Sequence, residues 1–150
     1  MSEEARGRAL RLLEKRDYSR KALIGKLTEK GVSEEDAAET VDRLCEVGAV
    51  SDERCAELIV RHYSLKGYGE RRIRDELFRR GIPRELWEQA LSRLPETGDA
   101  AYRLLESRLR GSGSSPEDIR KAQNHLLRRG YSWEEIRAAL ERFQVSEDKQ

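Results

Sequence analysis

A glycine recurs three times in one setting, as Lys30-Gly31-Val32-Ser33, Arg80-Gly81-Ile82-Pro83 and Arg129-Gly130-Tyr131-Ser132, at separations of 50 and 49 residues. A period of that size marks a threefold repeat, and a repeat of about 45 to 50 residues is too small to bury a generous core alone. Copies of such a unit are expected to stack. Repeat arrays mostly bind other macromolecules, so a binding surface is expected in place of a catalytic pocket.

The residues around each glycine define the unit. Four residues before it lie Leu27, Leu77 and Leu126, and eight before it Leu23, Ile73 and Ala122. After it come Ala37, Val41 and Leu44, then Trp87, Leu91 and Leu94, then Ile136, Leu140 and Phe143. These are i, i+4, i+7 stripes, so each glycine stands between two amphipathic helices. There it takes the left-handed conformation that ends the first helix, and Val32, Ile82 or Tyr131 turns inward. Start signals agree: Ser33 precedes Glu34 and Glu35, Pro83 suits a first turn, Ser132 with Glu135 forms a capping box, and Ser115-Pro116-Glu117-Asp118 opens a further helix. A third helical segment precedes each pair, over about residues 4–16, 52–65 and 98–110. Nine helices and essentially no strand follow. The predicted fold is all-α, three tandem three-helix repeats (1–50, 51–96 and 97–145) stacked into an elongated, curved solenoid-like array, with a frayed tail over 146–150. Pro95-Glu96-Thr97-Gly98 should separate the second and third repeats, and Gly111-Ser112-Gly113-Ser114-Ser115 should form a flexible connection that lets the third repeat hinge.

Thirty Lys and Arg against 29 Asp and Glu give a formal net charge of +1, so no global field marks a polycation. The charge is divided locally. From Arg61 to Arg84 eight cations (Arg61, Lys66, Arg71, Arg72, Arg74, Arg79, Arg80 and Arg84) face three acids, whereas from Glu29 to Glu57 ten acids face three cations. Solvated polar helices with i, i+4 ion pairs account for part of this. The run Lys66-Gly67-Tyr68-Gly69-Glu70-Arg71-Arg72 is costly for a turn that is only structural, and close approach to a partner's backbone would explain it. Guanidinium groups suit carboxylates and phosphates alike, so protein and nucleic-acid partners both stay open.

Catalysis has little support, with no Walker loop, nucleophile elbow or HExxH pattern. Cys45 and Cys55, with His62 and His125, lack the closely spaced pairs of a zinc site, so no metal or other cofactor is expected. Cys55 and His62 lie seven apart on one helical face, as packing positions do. Trp87 and Trp133 are expected to pack in or between repeats, and Tyr18 and Tyr68 hold equivalent structural places before second helices. No signal peptide or long apolar run occurs, so a cytoplasmic, reduced and monomeric protein is expected.

Several stretches resemble the RecX family: Ser51-Asp52-Glu53-Arg54-Cys55-Ala56-Glu57, then Lys66-Gly67-Tyr68-Gly69-Glu70-Arg71-Arg72-Ile73-Arg74-Asp75-Glu76-Leu77 with Arg80-Gly81-Ile82, and Tyr18-Ser19-Arg20-Lys21-Ala22-Leu23 with Lys26-Leu27 and Lys30-Gly31-Val32. The likeness runs over nearly the whole chain. Cys55 stands where the family usually has an aromatic residue, and Val47-Gly48-Ala49-Val50 is less bulky than the usual leucine-rich turn. The resemblance implies tandem three-helix repeats that regulate the RecA recombinase, usually by inhibition, in homologous recombination, DNA repair and the SOS response. Such proteins lie in the groove of the RecA filament on single-stranded DNA and interfere with filament extension, ATP hydrolysis, strand exchange and coprotease activity. On that reading Arg61, Lys66, Arg71, Arg72, Arg74, Arg79 and Arg80 meet the filament or DNA, joined from the third repeat by Arg120, Lys121, Arg128 and Arg129. Gly31, Gly67, Gly69, Gly81 and Gly130 serve as structural turns. A direct DNA-binding protein is the competing expectation, because each helix, glycine turn and helix has the outline of a helix-turn-helix. A helical scaffold for an unrelated protein is a third.

Overall fold

The computed structural model describes residues 3–94 and 97–148. Nine α-helices and one 3-10 turn, with no strand, make up these described residues: α1 (Glu3–Lys15), α2 (Arg20–Glu29), α3 (Glu34–Glu46), α4 (Asp52–Leu65), α5 (Glu70–Arg79), a 3-10 turn (Arg84–Leu86), α6 (Trp87–Leu91), α7 (Thr97–Ser112), α8 (Pro116–Arg128) and α9 (Trp133–Asp148).

Local chemistry explains the boundaries. Serine hydroxyls cap α2, α3 and α8, where Ser19, Ser33 and Ser115 accept from the amides of Ala22, Asp36 and Asp118. The Asp118 carboxylate accepts from the Ser115 amide in return, completing a capping box. Each repeat glycine has a positive φ of 93° at Gly31, 75° at Gly81 and 100° at Gly130. In all three, the glycine amide and the one after it bond back to the final turn, as Gly31 to Thr28 and Val32 to Leu27 (both 3.0 Å). This is the Schellman closure, which satisfies two carbonyls that the helix would otherwise leave open. Gly48 and Gly67 close α3 and α4 with the same bond pattern.

The middle repeat departs from the pattern. Pro83 offers no side-chain cap, and the chain enters as the 3-10 turn before the five residues of α6. Trp87 is buried there, its indole N–H donating to the Ile82 carbonyl at 2.9 Å. The chain leaves helical geometry after Leu91, three residues before Leu94, which as the residue preceding a proline is biased away from it. Elsewhere helices run longer than expected. Helix α7 continues through Gly111 and Ser112, so the connection to α8 is only Gly113-Ser114-Ser115, and α9 continues to Asp148. The expected separator falls partly on Pro95 and Glu96, and the expected tail partly on Lys149 and Gln150, all outside the described residues.

Packing follows a different division from the repeats. The chain forms two compact bodies, one from residues up to Ile59 together with Glu76–Ala90, the other from Val60–Asp75 together with residues from Leu91 onward. The middle repeat is therefore apportioned: α4 and α5 each give one part to each body. In the first body, Ala9 of α1, Leu23 and Leu27 of α2, and Ala37, Val41 and Leu44 of α3 form a core closed by Val50. In the second, Ala101, Leu105 and Leu109 of α7 meet Ala122 and Leu126 of α8, Ile136, Ala139 and Phe143 of α9, and Tyr131. The predicted stripes supply most of these positions. Trp133 does not join them, being 50% exposed at the start of α9.

A candidate partner-binding surface

The unusual Lys66–Arg72 run has a structural explanation inside the second body. After α4 the Gly67 turn brings Tyr68 to the entry of α5, and the next residue passes against the backbone of the third repeat's glycine turn. The Gly69 amide donates to the Arg129 carbonyl at 2.8 Å, and the Arg71 amide donates to the Gly130 carbonyl at 3.2 Å. A Cβ built on Gly69 would lie 2.5 Å from the Gly130 carbonyl oxygen, and one on Gly130 would lie 2.6 Å from the Arg72 Cβ. Gly69, expected as a turn residue, is thus a close-approach residue without a positive φ. The backbone it approaches is this chain's own.

Aromatic and cationic side chains gather around the crossing. The Arg129 guanidinium lies over the Tyr68 ring, 3.9 Å from its centroid, and donates to the Lys66 carbonyl. Arg72 stands 4.8 Å from the same ring and 5.8 Å from that of Tyr63. His62, Tyr63 and Tyr68 make successive edge contacts with centroids 5.0 and 5.6 Å apart. The buried Tyr131 hydroxyl donates to the Gly67 carbonyl at 2.9 Å, and burial pushes its acidity down, raising the pKa above the usual tyrosine value. Arg129 keeps one buried donor, Nε, without a partner.

Positive charge accumulates here. His125 is held below the usual imidazole pKa first by burial and then by Arg108, Arg129 and Arg128. Lys66, Arg71 and Arg128 are exposed, and none of the three forms an ion pair among the described residues. The first body contains the equivalent crossing with the opposite outcome. The Ser19 hydroxyl donates to the Arg80 carbonyl, and a Cβ on Gly81 would touch the Lys21 side chain at 3.0 Å. There Glu76, only 5% exposed, stands five residues before the glycine, where the second body has His125. Its carboxylate lies 3.5 Å from Arg79 and 3.9 Å from Arg80. One crossing carries its own counter-charge, and the other gathers arginines around a histidine.

The predicted cations are accordingly sorted. Arg61, Lys66, Arg71, Arg72 and Arg74 belong to the second body with Arg120, Lys121, Arg128 and Arg129, whereas Arg79 and Arg80 belong to the first. Arg72 and Arg129 are engaged on Tyr68, Arg74 bonds to Glu70 at 3.3 Å, and Lys121 lies 3.6 Å from Glu117. Arg61 and Arg120 are exposed. Sequence reasoning passed over Arg108. It lies between the core positions Leu105 and Leu109, at the flank of the α7 stripe, and periodicity alone does not show which neighbour it meets there.

Cys55 is buried, and burial together with nearby Asp17 and Asp52 pushes its thiol up to about 11, away from a reactive thiolate. His62, seven residues on, is exposed. Among the described residues no group of three or more His, Cys, Asp or Glu is placed to hold a metal ion, and no helix is long and apolar enough to cross a membrane.

Fold and surface together define a class: an all-helical protein of tandem three-helix repeats with a charged surface. Known proteins share this arrangement. Models of the first, second and third three-helix domains of RecX match residues 5–44, 51–91 and 96–140. A regulatory protein RecX of Chromohalobacter salexigens is 36% identical over 133 residues, covering 88% of each chain. One of Trichlorobacter lovleyi is 39% identical over 144 residues, 89% of this chain and 92% of that protein. The crystal structure of RecX from Lactobacillus salivarius superposes with a TM-score of 0.84 over 95% of this chain and 96% of that one, at 23% identity. The chain belongs to the RecX family of regulatory proteins.

Proposed function

We propose that this protein regulates the RecA recombinase, acting as an inhibitor that binds in the groove of the RecA filament on single-stranded DNA. It thereby modulates the filament's ATP hydrolysis, strand exchange and coprotease activities. The observation that carries this reading is the set of exposed cations Lys66, Arg71 and Arg128 in the second body, which hold no ion pair among the described residues, beside a crossing whose counterpart in the first body has Glu76 next to Arg79 and Arg80. Like charges gathered at a surface are stabilised by an anionic partner, and guanidinium groups present a planar fork to carboxylates and phosphates. Lys66, Arg71 and Arg128 contact the partner directly, while Arg72 and Arg129 hold Tyr68 and with it the entry of α5.

The test is DNA-dependent ATP hydrolysis by RecA in the presence of the Lys66→Glu/Arg71→Glu/Arg128→Glu triple variant. These three side chains hold no ion pair among the described residues, so the variant should fold. Inhibition is expected to weaken by at least about tenfold, the effect of losing several exposed charge contacts. Undiminished inhibition by the folded variant would remove the cluster from the contact surface.

The exposed cations also allow a second reading, direct binding of single-stranded DNA through its phosphates. Affinity for an oligonucleotide without recombinase separates the two. Three neutralised phosphates would give a log–log salt slope near −2, so binding that fades toward physiological salt leaves DNA a secondary ligand.

A further inference from the structure

The first body holds a second basic surface that the proposed function does not use. Arg8, Arg11 and Lys15 stand at i, i+3 and i+7 along α1, and Lys30, the residue after α2 ends, joins them. With Leu12 and Glu14 they line a concavity of about 590 Å³. Arg8 is fixed by Glu4 at 2.8 Å and by donating to the Lys30 carbonyl, which ties α1 to the end of α2. Arg11, Lys15 and Lys30 remain exposed, with no ion pair among the described residues.

The lining discriminates between anionic ligands. It contains no aromatic side chain, whereas sequence-tolerant binding of single strands relies on bases stacked on aromatic rings. None lines this concavity. Glu14 opposes a regular row of phosphates, but a peptide can space its carboxylates to avoid it. Leu12 and the aliphatic stems of Arg11 and Lys15 supply an apolar floor that a phosphate backbone would leave unused. We propose that the concavity binds an acidic peptide segment, pairing its carboxylates with Arg11, Lys15 and Lys30 and seating an aliphatic side chain on Leu12.

A fluorescein-labelled peptide with glutamates flanking a single leucine tests this by fluorescence anisotropy at low salt, with no recombinase present. The assay therefore stands or falls apart from the proposed function. The Arg11→Glu/Lys15→Glu variant should bind about tenfold more weakly, the effect of losing two exposed ion pairs. Lys30→Glu, on a different element, should weaken binding in the same direction, which guards against misfolding of α1. Lys66→Glu/Arg71→Glu, in the other body, should leave it unchanged, and replacing the peptide's leucine with serine should weaken it. The proposal is overturned if the wild-type chain does not bind the peptide, if the α1 variants bind it undiminished, or if a single-stranded oligonucleotide of equal charge displaces it at lower concentration than unlabelled peptide.

Discussion

Replacing three glycines with alanine, one at a time, separates backbone strain from close approach. Gly31 has a φ of 93°, and a Cβ there meets nothing within 4 Å, so Gly31→Ala isolates the strain of a left-handed residue, about 1–2 kcal/mol. Gly69 has no positive φ, but its Cβ would lie 2.5 to 2.8 Å from three backbone atoms of Gly130 and Tyr131. Backbone cannot rotate aside as a side chain does. The crossing must open, and its two hydrogen bonds, at 2.8 and 3.2 Å, are lost or lengthened. At about 1 kcal/mol each, with a similar amount for displaced packing, Gly69→Ala should destabilise the second body by about 3 kcal/mol. Gly130→Ala combines both faults, a φ of 100° and contacts of 2.6 Å to Arg72, and should cost about 4–5 kcal/mol. Urea denaturation gives the order, and amide hydrogen exchange gives the place. Exchange in α8 and α9 should accelerate in the Gly69 and Gly130 variants, and exchange in α2 and α3 in the Gly31 variant. The reasoning fails if Gly69→Ala is no more destabilising than Gly31→Ala, or if its acceleration spreads equally over both bodies.

Two other perturbations follow from buried polar groups. Thr40 is fully buried and its hydroxyl has no partner, so Thr40→Val, nearly the same in shape, should raise stability by about 1 kcal/mol, read from the urea midpoint. His125 is held below its ordinary pKa by burial and then by three arginines, so the unfolded chain takes up its proton first as pH falls. The residue has no effect well above the unfolded value of 6.5, and stability is lost as pH drops through that value toward the folded one. Urea midpoints between pH 7.5 and 5.5 should therefore fall less in His125→Asn than in the wild-type chain.

What the sequence discloses is what short-range geometry controls. The glycine turns, the serine caps and the apolar stripes of α2, α3, α8 and α9 each depend on residues within about three turns of helix, and each appeared where the spacing put it. The Gly69–Gly130 crossing joins residues 61 apart, and no periodicity encodes it. Its trace was the improbable composition of Lys66–Arg72, correctly read as a demand for close approach but assigned to an outside partner. Charge is redistributed by the same long-range geometry. Eight cations between Arg61 and Arg84 form one block along the chain, yet the folded molecule divides them at Asp75 and brings Arg108 and Arg128 in from elsewhere. Trp133 is half exposed because it stands three residues after its glycine, whereas the buried Trp87 stands six after its own, a place that Ile136 fills in the third repeat.

The division of α4 and α5 between two compact bodies bears on how such a chain can change length over generations. In a simple solenoid the segment that duplicates is also the segment that packs, so unequal crossing-over can add or remove one copy and leave intact neighbours. Here the two are out of register by about half a repeat. Excising residues 51–91 would take the closing portions of both bodies at once, and inserting a copy would give each an end that fits only its old neighbour. Removing the second repeat from this chain would therefore take residues from both bodies, and a deletion confined to it should cost both of them stability.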